Sequence, residues 1–161
     1  MGALRHGWNT ERMRGLVQRV EQAWVDARVE GHWIRCGEIG PGLLVLIGVT
    51  HSDTEQQAKK LADKLWNLRV MDDDDGVMNK SVAETTRSIL VVSQFTLYGD
   101  TNTGRRPSWI AAARPEAAEP LIEFVVAELR RLGAQVETGR FRTDMKVGLV
   151  NDGPCTVIVD V

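Results

Sequence analysis

Residues 88–100 read SILVVSQFTLYGD. Ile89, Leu90, Val91 and Val92 follow one another with no polar residue between them. A half-exposed strand alternates apolar and polar side chains; an unbroken branched run marks a strand covered on both faces, as in an α/β sheet. The stretch is expected as a buried strand that turns polar at its end. There Ser93 and Thr96 bring hydroxyls, Gln94 an amide that both donates and accepts, and Phe95 a ring for stacking. Open α/β sheets hold ligands beyond the carboxyl ends of their strands, so the position suits a site. A strand shedding apolar character as it leaves the core reads the same way.

Working outward, LLVLIGVT (43–50) is a second run of this type. Between the two, Ser52-Asp53-Thr54 opens a helix, with Ser52 or Asp53 as its cap and Ala58, Leu61, Ala62, Leu65 and Trp66 at helical spacing. Upstream, 14–20 suggests a first strand, and 23–40 a strand, a turn near Glu30-Gly31 and a return strand. A strand at 68–71 runs into Asp72–Asp75 and Gly76. Downstream, 107–113 suggests a short helix. A longer one starts at Pro115-Glu116, carries Leu121, Phe124, Val125, Leu129 and Leu132 on one stripe, and stops at Gly133. Strands at 134–138, 145–151 and 155–161 close the chain. The expected fold is α/β: one mixed, curled or partly closed sheet with two main helices on one side, in a single domain.

The chain has 161 residues, 43% of them hydrophobic, and a net charge of −2. That suits one domain with a real core and argues against a protein that coats nucleic acid nonspecifically. Residues 1–12 read as an N-terminal extension to a domain over 13–161. No apolar stretch suits a signal peptide or a membrane span, and Cys36 and Cys155 form no metal or redox spacing, so a reduced cytoplasmic setting without membrane contact is expected. His6, His32 and His51 pair with no nucleophile, and there is no zinc or phosphate-loop pattern. The four aspartates at 72–75 read as a solvated turn before Gly76, since the ligand pattern of a calcium loop is missing. No metal and no cofactor is expected. Basic residues gather at Arg105-Arg106, at Arg130-Arg131 and at Arg140, Arg142 and Lys146.

The last notable segment, LVNDGPCT (149–156), joins a hairpin signal, Asn-Asp-Gly, to a proline that donates no N–H. Composition alone leaves a plain turn with a trans peptide as the default.

MRGLVQRV (13–20), GLLVLIGV (42–49), ILVVSQFTLYGDT (89–101), GRRPSW (104–109) and LVNDGPCT stand in the order and spacing of the D-aminoacyl-tRNA deacylase family. The chain resembles that family from Met13 to its end. The resemblance implies an enzyme that hydrolyses the ester between a D-amino acid, or glycine on tRNA(Ala), and the 3′-terminal adenosine of tRNA. It implies a homodimer with active sites at the interface. Ser93, Gln94, Phe95 and Thr96 would form the catalytic segment. The Gly153–Pro154 bond would be cis, and the pair would enter the partner's pocket as a main-chain filter against L-amino acids. Arg19 would brace that loop, Met145 would line the pocket wall, and Thr156 completes the motif. Rejecting the L hand needs only something rigid where its side chain would project. A tRNA-binding protein of the same fold without turnover is the alternative. Cys155, Gly99 and Gly148 depart from the residues expected at their places, which are valine, alanine and a larger side chain.

Overall fold

The computed structural model describes residues 12–161, so the expected extension lies, but for Arg12, outside the described residues. The elements are β1 (Arg14–Val29), β2 (His32–Ile39), β3 (Gly42–Gly48), α1 (Glu55–Asn67), β4 (Met71–Asp72), β5 (Met78–Lys80), β6 (Ser88–Ser93), α2 (Pro115–Leu132), β7 (Gln135–Thr138) and β8 (Met145–Asp160). β3, β6 and β7 run parallel, joined by crossovers through α1 and α2. The long β1 pairs along most of its length with β8; its other edge takes β3 against 14–20 and β2 against 23–29.

The sheet curls until it nearly closes, because β2 folds across β6 and β7. A Cβ on Gly37 of β2 would fall 2.7 Å from the Thr138 carbonyl oxygen of β7 and 3.0 Å from Leu90 of β6. Only a residue without a side chain permits that approach. Curling gives the central strands two buried faces. Leu43, Val45, Ile47, Ile89 and Val91 meet the helices, while Leu44, Leu90 and Val92 point into the interior with Val20, Ala23, Val25 and Ile39. That is why these runs carry no polar alternation. Both helices lie on the same face, α1 through Ala58, Leu61, Ala62 and Leu65, and α2 through Ala118, Val125, Val126 and Leu129.

Five local expectations are corrected. Thr54, not Ser52 or Asp53, caps α1, through a reciprocal pairing with Gln57; the Asp53 carboxylate accepts the Thr50 N–H at 2.7 Å. Residues 107–113 form no helix, because their backbone pairs elsewhere: Ser108 with Asp100, and Ala112 with Thr50. The strand expected at 68–71 is the two-residue β4, paired with β5 across the acidic turn. The strand beginning at Ser88 ends at Ser93, and Phe95–Tyr98 turn as a 3-10 helix. The strands expected at 145–151 and 155–161 are one continuous β8. Its Asn-Asp-Gly-Pro does not reverse the chain. Asn151 pairs with Val20 and Thr156 with Gln18, so Asp152–Cys155 bulge opposite the single residue Arg19, with Asp152–Pro154 exposed and Cys155 turned inward.

Candidate active site

The Gln94 N–H makes the last bond of β6, to the Ile47 carbonyl at 2.8 Å, after which the chain tightens into the 3-10 turn. Tyr98 fixes that turn from below: its ring is buried and its hydroxyl lies between the carbonyl oxygens of Gly48, at 3.1 Å, and Arg12. Burial pushes the phenol pKa up, so the hydroxyl stays protonated as a donor. The turn's first internal bond is Leu97 N–H to the Gln94 carbonyl at 3.2 Å, which leaves the N–H groups of Phe95 and Thr96 ahead of it.

Above the turn lies a cleft of about 560 Å³. Ser93, Gln94, Phe95 and Met145 line it, together with Trp109, Arg114, Phe141 and Arg142. Thr96 joins through the Gln94 side chain, whose amide donates to the Thr96 hydroxyl oxygen. A neutral amide cannot take a proton from that hydroxyl, so among the described residues Thr96 has no base as its hydrogen-bond partner. Arg142, at φ 60, is itself engaged, donating to the Glu116 carboxylate at 2.6 Å; the Glu116 backbone N–H first, and Arg142 second, hold that acid's pKa below the usual carboxylate range.

Gly153, Pro154 and Thr156 stand elsewhere. The Gly153–Pro154 peptide is cis, and residues 151–154 are exposed on the β8 bulge. Arg19 holds the bulge from within. Its side chain is 10% exposed; Nε donates to the Asp152 carbonyl at 2.8 Å and Nη1 to the buried Val70 carbonyl at 2.8 Å. Asn151 closes the loop by donating from Nδ2 to the Arg19 carbonyl at 2.9 Å. Thr156 accepts from Gln18 Nε2 at 3.3 Å, next to the bulge. Within the chain the two segments are not brought together. Arg19 pairs with Leu43, which pairs with Ile89, four positions ahead of Ser93.

Both atypical glycines make room for tryptophans. A Cβ on Gly99 would sit 2.5 Å from Trp109 Cζ3, and one on Gly148 would sit 2.1 Å from Trp24 Cε2. Cys155 is buried in the helix-side core. The aspartate run has structural employment: Asp72 meets Arg19 at 3.1 Å, and Asp73 accepts the N–H groups of Asp75 and Val77. Among the described residues no three or more His, Cys, Asp or Glu converge as metal ligands, and no helix is long and apolar enough to cross a membrane. Sequence reasoning missed Trp109, Phe141, Arg114 and Asn151 as parts of these two segments. GRRPSW was the only local signal for Trp109.

Comparison with known proteins shows the family and the fold. A family profile described as D-Tyr-tRNA(Tyr) deacylase matches residues 16–160. D-aminoacyl-tRNA deacylase of Symbiobacterium thermophilum is 53% identical over 148 residues, covering 92% of this chain and 95% of that protein. The protein of that name from Halalkalibacterium halodurans is 50% identical, covering 92% and 99%. Among solved structures, one titled c-Myc DNA Unwinding Element Binding Protein superposes with a TM-score of 0.82 at 34% identity, covering 92% of this chain and 98% of that one. Another, a probable eukaryotic D-amino acid tRNA deacylase, reaches a TM-score of 0.80 at 15% identity and supports the fold alone.

Proposed function

The chain belongs to the D-Tyr-tRNA(Tyr) deacylase family and is a D-aminoacyl-tRNA deacylase, and we propose that it removes D-amino acids and glycine from tRNA by a mechanism built from main chain. The ester carbonyl sits at the mouth of the cleft, where the N–H groups of Phe95 and Thr96 hold the oxyanion that develops as water attacks. The adenosine 2′-hydroxyl assists the leaving oxygen. Ser93 and Gln94 orient the ester, and the Thr96 hydroxyl, bound to Gln94, positions rather than attacks. Met145 forms the apolar wall.

Discrimination comes from the second segment. The working unit is a homodimer in which one protomer's Gly153–Pro154 enters the partner's cleft and blocks the space of an L side chain. The observation that carries this reading is the separation of the two segments within one protomer combined with the Arg19 clamp. A loop held by buried charge-assisted bonds yet pointing at solvent is built to meet something outside its own chain. The outer edge of β8, unpaired among the described residues, supports the dimer too: sixteen residues long, it exposes Val150 and Ile158 at 39% and 45%. An edge of that length seeks a partner. Charged tRNA is a cytoplasmic reactant, and that is where this reading puts the protein.

Incubation with D-Tyr-tRNA tests the enzymatic reading. Release of free D-tyrosine with multiple turnovers supports it; tight binding without release supports a tRNA-binding protein of the same fold instead. Mixing a protomer defective at Gly153–Pro154 with one defective at Phe95–Thr96 tests the exchange across the interface. Recovery of activity in the mixture is expected, and a mixture as inactive as its parts contradicts it.

A further inference from the structure

The mouth of the cleft carries surface that the chemistry at the ester does not use. Phe95 and Trp109, which line the cleft, are 57% and 41% exposed, and Ile110, next to Trp109 in the chain, is 85% exposed. The two rings meet edge to face, centroids 5.7 Å apart at 73°. Isolated exposed apolar residues are ordinary, but a contiguous lip beside a cleft marks a contact surface.

This lip is held firmly. Asp100 and Ser108 exchange backbone bonds of 2.8 and 2.9 Å, and Ala113 N–H reaches the Val49 carbonyl at 2.9 Å. The Thr50 hydroxyl donates to the Ala111 carbonyl at 2.6 Å, and His51 Nε2 lies 2.6 Å from the Ile110 carbonyl oxygen. The missing Cβ at Gly99 leaves the indole its place. From Gly99 to Arg114 the segment holds Arg105, Arg106 and Arg114 against Asp100 alone, a local charge of 3 − 1 = +2 in a chain whose net charge is −2. Three of the other basic residues are occupied: Arg131 faces Glu128 at 2.6 Å, Arg142 faces Glu116, and Lys146 lies 4.4 Å above the Trp33 ring.

Resting on the deacylase reading above, we infer that this lip seats the unpaired nucleotides that precede the terminal adenosine of the RNA. To bring its ester to Thr96, a single-stranded 3′ end must pass over the cleft mouth. It presents base faces and phosphates, and the lip presents two rings, with Arg114 lining the cleft and Arg105 and Arg106 in the same loop as Trp109. The bases stack on Trp109 and Phe95 while Arg105 and Arg106 meet the phosphates. Across a two-fold interface the segment would face its own positive charge, whereas RNA phosphates complement it, which favours RNA over a second copy of this chain.

The test compares kcat/KM for a D-aminoacyl ester of adenosine alone with that of the same ester on a trinucleotide ending CCA. The wild-type protein is expected to prefer the trinucleotide by about tenfold or more, the scale of one stacked base. Trp109→Ala brings the two substrates to parity, Trp109→Phe keeps most of the preference, and Gly99→Ala reduces it by displacing the indole. Equal loss on both substrates would make Trp109 a mere wall of the cleft and overturn the inference, as would an intact preference in Trp109→Ala. Uncharged trinucleotide should quench Trp109 fluorescence, measured as the difference from Trp109→Phe. This arm still decides the inference if neither ester is hydrolysed, an outcome that would count against the deacylase reading alone. An indole shielded from acrylamide in the free protein would show that a second copy covers the lip, and overturn the inference.

Discussion

Replacing Arg19 by methionine keeps the buried stem and removes the guanidinium. Two bonds disappear, from Nε to the Asp152 carbonyl and from Nη1 to the Val70 carbonyl, each 2.8 Å. A hydrogen bond to a charged group contributes about 1.5–3 kcal/mol. The ion pairs with Asp72 and Asp152 add little, since those carboxylates are 51% and 60% exposed and screened by water. The expected loss is about 3–6 kcal/mol, a large part of the roughly 5–15 kcal/mol that holds a domain together. Arg19→Lys keeps the charge but cannot reach both carbonyls at once, so about half that loss is expected. Urea denaturation measures the stability. Under conditions where Arg19→Lys stays fully folded, the D/L ratio of deacylation rates should fall at least tenfold, because the bulge no longer has a fixed position. A stability change below about 1 kcal/mol for Arg19→Met would refute the clamp. An unchanged D/L ratio would refute its link to discrimination.

Three further outcomes follow from the same geometry. Thr96→Ala should retain substantial deacylase activity in single-turnover assays; complete loss would make Thr96 the nucleophile and displace the main-chain mechanism. Gly148→Val should cost about 1–3 kcal/mol by forcing Trp24 off its seat, and Trp24→Leu in the same chain should recover most of it, giving a coupling that a double-mutant cycle in denaturant detects. Asp73 titrates below the usual carboxylate range because it accepts backbone N–H groups, Val77's first. Its contribution is therefore full above the ordinary carboxyl value of about 4 and is lost as pH falls through the lower folded value. Asp73→Asn should remove this acid-side slope and lower the neutral part of the stability curve by the contribution that the carboxylate makes there.

Much of the fold was legible because its central strands obey a local rule. Ile89–Val92 and Leu43–Ile47 are wholly apolar since helices cover one face and the curled sheet covers the other. The helices announced themselves by their stripes, and Gly133 by its left-handed stop at φ 110. Where reading failed, the deciding contact was distant. Asn-Asp-Gly-Pro signals a turn to any local rule, but Arg19, 133 residues away from Asp152, holds it as a bulge in a continuous strand. Residues 107–113 are drawn out of a helix by pairing with Thr50 and Asp100. The candidate site divides in the same way. The polar end of β6 showed in its composition, whereas Trp109, Phe141 and Arg114 reach the cleft from loops that no periodicity places. The significance of Gly153–Pro154 came from family resemblance, since nothing in its composition separates a filter from a turn.

The most direct measurement is a comparison of hydrolysis rates for one tRNA carrying, in turn, a D-amino acid, its L enantiomer and glycine. If main chain lent by one protomer bars the L side chain from the partner's cleft, the D and glycyl esters are cleaved and the L ester survives. Cleavage of both enantiomers at similar rates would contradict that account, whatever the rate on glycine.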